Sequence, residues 1–534
     1  MAPAFCCQKK EMKDEKRDVM EKERDSLADW LGRQVTGFYI VVMCVIFPVF
    51  YTNKMFSLTR DKKYFFLSTT FVYACLLIPA IGKRVCEMRK EKLCIPKADT
   101  VFAVILFLAV MVSTVFAIDT REAFWEMSGR TVCGICFLCF VFLYFGVRAY
   151  GTFDNIMIWG WLIGSAVIYL FGILCACKIN FMYIQTGVDS PEIYLTPLGN
   201  TNFNACLVSL MLPLVMVMFL LCKERFSQEI YSINLYMGFL FVFFIKTESA
   251  LLAITAGIFL LGYFAVGNSG WLSRYIQILG IYLGAKVTIC LLLHLCREHL
   301  YPFDGIGQLV LRDAWVLAEL CCFVIVTMLV RRKKDKIAER FSGIRNGLLL
   351  FLLILAVIGI FFLIWINVKS GSVKEGTFWS RLILTDETFN HRGFIWKGTV
   401  QSFREEPLWR KIFGNGLNCY KDFLPEEFKE EAWNKFGLNL HDPHNELLQM
   451  LVDMGILGVV GYFGLLGVTF VKAWRMWRKN ELQIVVVLTL GVYLLQGLVN
   501  GYSIYHLPIL FIFLGLANGS IGKNNNVVEK GEGQ

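Results

Sequence analysis

Charge is scarce in this sequence: Asp, Glu, Lys and Arg together make up 18% of its 534 residues. That scarcity argues against a soluble globular chain. With 56% hydrophobic and 15% aromatic residues, 46 of them Phe, it carries more apolar surface than a water-exposed domain of this length can bury. A disulfide framework is also missing. Most of the 18 Cys lie inside apolar stretches, as at Cys133, Cys136, Cys139, Cys175 and Cys177, and read as small hydrophobes without zinc-type spacing. Internal repeats are absent, as is any low-complexity tract before the polar tail from Lys523. Residues 1–34 are a mixed-charge leader; no small-residue cleavage pattern follows a short basic start, which argues against a cleavable signal.

What is present is a succession of apolar runs, roughly 17–25 residues each, separated by short charged segments. The expected fold is all-α, a polytopic transmembrane helical bundle of about fourteen spans with a large helical extracytoplasmic loop. The spans are predicted near 36–52, 64–82, 100–117, 131–147, 157–177, 203–221, 231–246, 249–266, 275–295, 314–330, 346–367, 455–473, 482–500 and 504–521. The chain divides accordingly into the leader 1–34, a first bundle 35–367, an outer loop 368–454, the last spans 455–522 and a tail 523–534.

The net charge of +10 follows from the same organisation. Lys and Arg gather in cytoplasmic loops of membrane proteins, so no nucleic-acid partner is required. Lys83-Arg84 through Lys97, Lys223 and Arg225, Arg331 to Arg345, and Lys472 to Lys479 fall on one face if the N-terminus is inside. This predicts a multi-pass protein of the cell membrane with both termini cytoplasmic. Three longer loops then face outward: 178–202, 296–313 and 368–454. The last is far longer than a connector and reads as a functional subdomain.

The outer loop carries the chemistry. Asn390 is a candidate N-cap, and Arg392, Trp396, Thr399 and Phe403 share one face of the helix it starts. That helix is expected to end near Glu406-Pro407, and Gly414-Asn415-Gly416 supplies a tight turn. Arg392 suits bidentate phosphate binding; the plainer reading pairs it with Glu405 or Asp386. Farther on, Asp442 is read as an N-cap and Pro443 as the first helical residue, with His444 and Asn445 in the first turn. A helix N-terminus disfavours an extra cation and would keep His444 neutral, as a general base requires. The alternative is a histidine that only caps the loop. His441 and His444 as a metal pair are disfavoured by the intervening Asp-Pro and the lack of a third ligand. Gly455, Gly458, Gly461, Gly464 and Gly467 form a smooth stripe, predicting a centrally packed span that holds the preceding His rigidly.

Two other segments stand out. Asn200, Thr201, Asn202 and Asn204 cluster at the start of a span, where they either cap it or bind sugar hydroxyls. Lys246-Thr247-Glu248-Ser249 separates two apolar runs and requires an interface or a polar cavity, and Lys246 is a candidate contact for an anionic substrate.

These residues carry a resemblance. Gly199-Asn200-Thr201-Asn202-Phe203 with Ala205, Arg392 and Trp396 followed by Glu406-Pro407-Leu408 and Gly414-Asn415-Gly416, and His444-Asn445 followed by Leu448, Asp453, Gly455 and Gly458 resemble the O-antigen ligase and Wzy polysaccharide polymerase superfamily of WaaL-like membrane glycosyltransferases. The resemblance implies transfer of a glycan from an undecaprenyl diphosphate carrier to an acceptor glycan or glycolipid hydroxyl on the outer membrane face, without metal, cofactor or nucleotide sugar. It implies His444 as the base and Arg392 as the group holding the leaving diphosphate. Asn445, Asn200, Asn202, Trp396 and His441 are expected around the substrate. The family's Arg after Thr-x-Ser is replaced here by Ala250, so Lys246 or Arg381 is expected to substitute. Envelope-assembly proteins are implied partners. The competing class is a transporter or lipid-linked oligosaccharide flippase, but such proteins concentrate charge near the bilayer midplane rather than in an outer loop.

Overall fold

The computed structural model describes residues 27–53, 57–88, 97–125, 132–180, 183–187, 190–303, 305–368, 385–386 and 388–521. These form an all-α bundle whose only sheet, among the described residues, is a two-stranded antiparallel hairpin, Tyr194–Thr196 with Gly199–Asn200. Every predicted span falls on a helix. Nine helices among the described residues are long and apolar enough to cross a membrane, and Gly134–Tyr150, Gln483–Gly497 and Leu507–Asn518 are shorter apolar helices. The described cysteines are free thiols, many buried as small apolar groups.

One connection differs from expectation. The stretch Asp313–Val368 is two helices that meet at Lys333, whose φ of −135° is non-helical, and the basic segment from Lys334 to Arg345 is the start of the second helix rather than a loop. Past that break the run of Lys, Arg, Glu and Ala keeps the segment helical, since all four are good helix formers. The drop in hydropathy after residue 330 therefore coincides with a break between two helices, and what the sequence did not show is that the basic segment is itself helical.

The core is densest around Thr201–Leu221, Gln483–Gly497 and Leu507–Asn518, which are buried along nearly their whole length. The glycine-striped helix runs Glu446–Met476 and packs on Ala98–Val115. A Cβ at Gly461 would lie 2.6 Å from the Leu106 backbone nitrogen, and one at Gly464 would overlap the Phe102 ring. Both positions therefore need glycine for this close approach. Gly467 faces open space and contributes nothing to that contact.

Gly455 does more than pack. It sits at φ +64° inside the Glu446–Met476 helix and breaks it. The break frees carbonyls that the helix would otherwise use, and the Gly414-Asn415-Gly416 turn takes them. Asn415 N donates to Val452 O (2.9 Å) and Gly416 N to Asp453 O (3.1 Å), while Ile118 N donates to Asn415 O (2.9 Å). Gly414, at φ +86°, lies so close to Asp453 that a Cβ there would meet its carbonyl at 2.3 Å. The turn read from the sequence thus clamps the first two turns of the glycine-striped helix to the outer segment.

The loops predicted to share a face do meet at one end of the bundle. Lys178 Nζ donates to Glu298 O (2.6 Å), Lys246 Nζ to Pro302 O (2.6 Å), and Asn202 lies against the 442–444 segment.

Candidate functional site

The outer segment builds a small core of its own. Phe394, Ile395, Tyr420, Phe423, Leu424, Ala432, Leu440 and Val452 bury one another, and Phe394 stacks on Phe428. Gly437, left-handed at φ +64°, ends the Glu426–Phe436 helix and turns the chain toward His441. The Thr388–Glu405 helix lies across this core. It ends before Pro407 as expected, but Asn390 is not its N-cap. Asn390 and His391 both adopt left-handed backbone angles, φ +59° and +65°, within its first turn. Asparagine tolerates that conformation through local hydrogen bonding, which is also why it resembles a cap in sequence.

The helix-start assignment at Asp442 is also corrected. The helix begins at Glu446, and its cap is Asn445, whose Oδ1 accepts from Leu448 N (2.9 Å). His444 lies outside the helix at φ +48°. Asp442 spends its carboxylate on His444 instead: Oδ1 accepts from His444 N at 2.8 Å and lies 2.9 Å from His444 Nδ1. The helix-dipole argument for a neutral His444 therefore falls. What replaces it is a carboxylate–imidazole pair, in which Nδ1–H donates to Asp442 and Nε2 is left as the basic nitrogen.

His444 and Asp442 line a narrow crevice with Asn202, Phe203, Cys206, Asn500, Gly501 and Tyr502. Arg392 reaches it from the outer helix, Nη2 donating to Asn500 Oδ1 at 3.3 Å. It makes no ion pair with Glu405 or Asp386. Burial works against its charge, while Asp442 and Glu248 face it and favour the charged form, so it stays a guanidinium. Trp396, one turn along, donates Nε1–H to Pro443 O (2.9 Å) and fixes the outer helix to the His444 loop.

The other expected residues divide. Asn445 joins the site's frame, its Nδ2 donating to Leu498 O (2.7 Å) as well as capping. Asn202 faces the crevice, whereas Asn200 caps Thr201–Leu221, its Oδ1 accepting from Asn202 N (2.9 Å). His441 is half-buried next to Asp442 and is not among the lining residues. Lys246 sits at φ +52° over the rings of Tyr301 and Phe303, engaged with the 301–303 segment rather than with the crevice. Ala250 is buried in the Glu248–Ala265 helix, and Arg381 lies outside the described residues.

Sequence reasoning missed Asn500 and the role of Asp442. Asn500 bridges Arg392 and Ser249, Nδ2 donating to Ser249 Oγ (3.3 Å), and Gln496 Nε2 donates to the same hydroxyl (3.1 Å). This contact explains how the polar tetrad at 246–249 is accommodated between two apolar helices. The available signal was the Asn500-Gly501-Tyr502-Ser503 break between the last two apolar runs.

Below the crevice the glycine-striped helix carries buried polar groups. Glu446 Oε1 accepts from Tyr462 (3.1 Å) and from Tyr493, and Asp453 accepts from Tyr502. Through Tyr493 and Tyr502 these bonds tie the crevice floor to the Gln483–Gly497 helix and to the segment that follows it.

No curated protein matches the chain. The O-antigen ligase family model matches residues 311–463, a stretch that contains Arg392, the Gly414–Gly416 turn, the Asp442–His444 pair and the break at Gly455. Over that stretch the chain is similar to the O-antigen ligase family.

Proposed function

We propose that the protein transfers a glycan from a polyprenyl diphosphate carrier to an acceptor hydroxyl on the outer face of the cell membrane, as a ligase or polymerase of surface polysaccharide. One observation carries this reading: an imidazole oriented by a carboxylate and a guanidinium held by a neutral amide converge on one crevice, through Asp442 and Asn500.

The chemistry follows from those groups. His444 Nε2 takes the proton from the acceptor hydroxyl as its oxygen attacks the anomeric carbon. The bond from that carbon to the diphosphate oxygen breaks, and the electron pair leaves with the diphosphate. Arg392 meets the negative charge that develops there, and Asp442 stabilises the imidazolium that forms. Asn500 orients Arg392, and Asn445 and Trp396 hold the His444 loop in register. Apolar grooves between the helices, such as the one lined by Leu447, Phe463, Leu494, Leu495 and Leu498, suit a polyprenyl tail.

The test is His444→Ala and Arg392→Ala in cells, with membrane insertion verified. Loss of surface polymer with lipid-linked glycan accumulating on the outer face supports transfer. Accumulation on the inner face instead would assign the protein to flipping, and unchanged polymer would remove both residues from the chemistry.

A further inference from the structure

The outer segment meets the bundle at the ends of two spans. The Ala98–Val115 helix starts at the end away from His444, where Asp99 pairs with Arg148 (2.7 Å). It finishes beside the outer segment, where Ile118 N donates to Asn415 O (2.9 Å). Its eighteen residues span roughly 27 Å, close to the thickness of a bilayer's hydrocarbon core. The short Leu408–Phe413 helix packs on that finish and on the Glu446–Met476 helix, whose Gly455 break lies against Ile412.

Both spans carry an exposed apolar stripe up to this level. On Ala98–Val115 it consists of Val101, Val104, Leu108, Met111 and Val115, three and four residues apart in turn, so one helix face is uncovered throughout. Phe116, 54% exposed, extends it past the helix end. On the neighbouring helix Ile456 and Val460 are exposed in the same way. In a bilayer such faces border the acyl chains, which are as apolar as the side chains themselves.

The stripe continues onto the outer segment. Trp409 meets Phe116 edge-on, with ring centroids 6.3 Å apart, and Leu408 beside it is 72% exposed. Neither residue belongs to the small core that Phe394, Tyr420 and Val452 build. Trp125, just after the Thr120–Phe124 helix, is exposed at the same end of the bundle. Tryptophans at the ends of spans sit at headgroup level, ring in the apolar boundary and N–H toward water. The polar side chains of the short helix turn back onto the protein. Arg410 donates Nη1–H to Asn415 Oδ1 (3.2 Å), and Lys411 Nζ donates to Arg404 O (2.7 Å). The helix thus presents its apolar pair outward, in line with two lipid-facing stripes.

We propose that the Leu408–Phe413 helix is seated in the outer leaflet of the bilayer, with Leu408 and Trp409 inserted at the boundary between headgroups and acyl chains. The Gly414–Gly416 turn follows directly and bonds the helix that starts at Glu446, so this contact sets the height of the His444 loop above the membrane. The seating is independent of the transfer chemistry.

The test uses the full-length protein in phosphatidylcholine nanodiscs, with an environment-sensitive fluorescent amino acid in place of Leu408 or, as a lipid-facing reference within the span, in place of Phe107. Quenching by lipids carrying a nitroxide on the acyl chain is compared with quenching by aqueous iodide. Seating about 5–10 Å into the boundary predicts nitroxide quenching at 408 comparable to that at 107, with little quenching by iodide. Trp409→Asp in the protein labelled at 408 is expected to lower the nitroxide effect and raise the iodide effect several-fold. Strong iodide quenching without that substitution would place the helix in water and overturn the proposal. Protection from both quenchers would show that a protein surface covers the pair, a second copy or another chain, and overturns it equally. Quenching unaltered by Trp409→Asp would remove Trp409 from the membrane contact and contradict the proposed insertion.

Discussion

Two arginines, one at each end of the bundle, are held in opposite ways. Arg148 is neutralised: Asp99 sits 2.7 Å away and itself accepts from Tyr144 (2.8 Å). Arg392 is positioned by the neutral amide of Asn500, with Asp442 and Glu248 near enough to sustain its charge but not to pair with it. A guanidinium matched by a carboxylate has its charge compensated within the fold. One steadied by an amide keeps its charge for a ligand. The same contrast separates His444, which Asp442 orients while leaving Nε2 basic, from the buried His506, whose Nδ1 contacts Ser503 (3.0 Å) inside the core.

The largest effect expected at the Arg392 end comes from His444→Ala, which should lower transfer about 10²- to 10⁴-fold in a membrane assay with lipid-linked donor, leaving insertion intact. Arg392→Ala should cost roughly 10²- to 10³-fold, with Arg392→Lys recovering only part because lysine lacks the planar fork. Arg148→Gln reverses the pattern. It should leave turnover nearly unchanged while lowering stability by about 2 kcal/mol in thermal unfolding, because Asp99 is left without its cation. Equal losses of turnover from Arg148→Gln and Arg392→Lys would break the comparison.

Backbone effects come next. Gly455→Ala places a methyl 2.4 Å from the Ile412 carbonyl and forces an L-residue to φ +64°. Stability should fall by about 1–3 kcal/mol, and activity should fall with it because the Gly414–Gly416 clamp sets the His444 loop. The smallest effect is Asn445→Ala, which removes a helix cap worth about 1 kcal/mol and should raise acceptor KM more than it lowers kcat.

The bundle was legible because each span is an apolar run long enough to cross a bilayer, and every run became helix. The site was legible only in its residue types. Asp442-Pro443 has the composition of a helix start, but Asp442 bonds both His444 N and His444 Nδ1, and the left-handed backbone at His444 delays the helix to Glu446. Short-range pattern does not tell a cap from a side chain aimed at its neighbour. Asn390 failed for the same reason: an asparagine that tolerates left-handed angles reads as a cap wherever it occurs. Asn500 was invisible because its value lies wholly in tertiary contacts, to Arg392 across 108 positions and to Ser249 across 251. The Gly414-Asn415-Gly416 turn was recognisable as a turn, but its partner, the break at Gly455, looked like one more member of a packing stripe.

The central claim is that His444 and Arg392 serve one reaction centre, and a double-mutant cycle on transfer rate measures this directly. With His444→Ala, Arg392→Ala and the double variant in the same membranes, a shared centre predicts that the double variant is scarcely slower than His444→Ala alone, since residues acting as a unit are strongly non-additive. Losses that simply multiply would show two independent contributions and contradict the account.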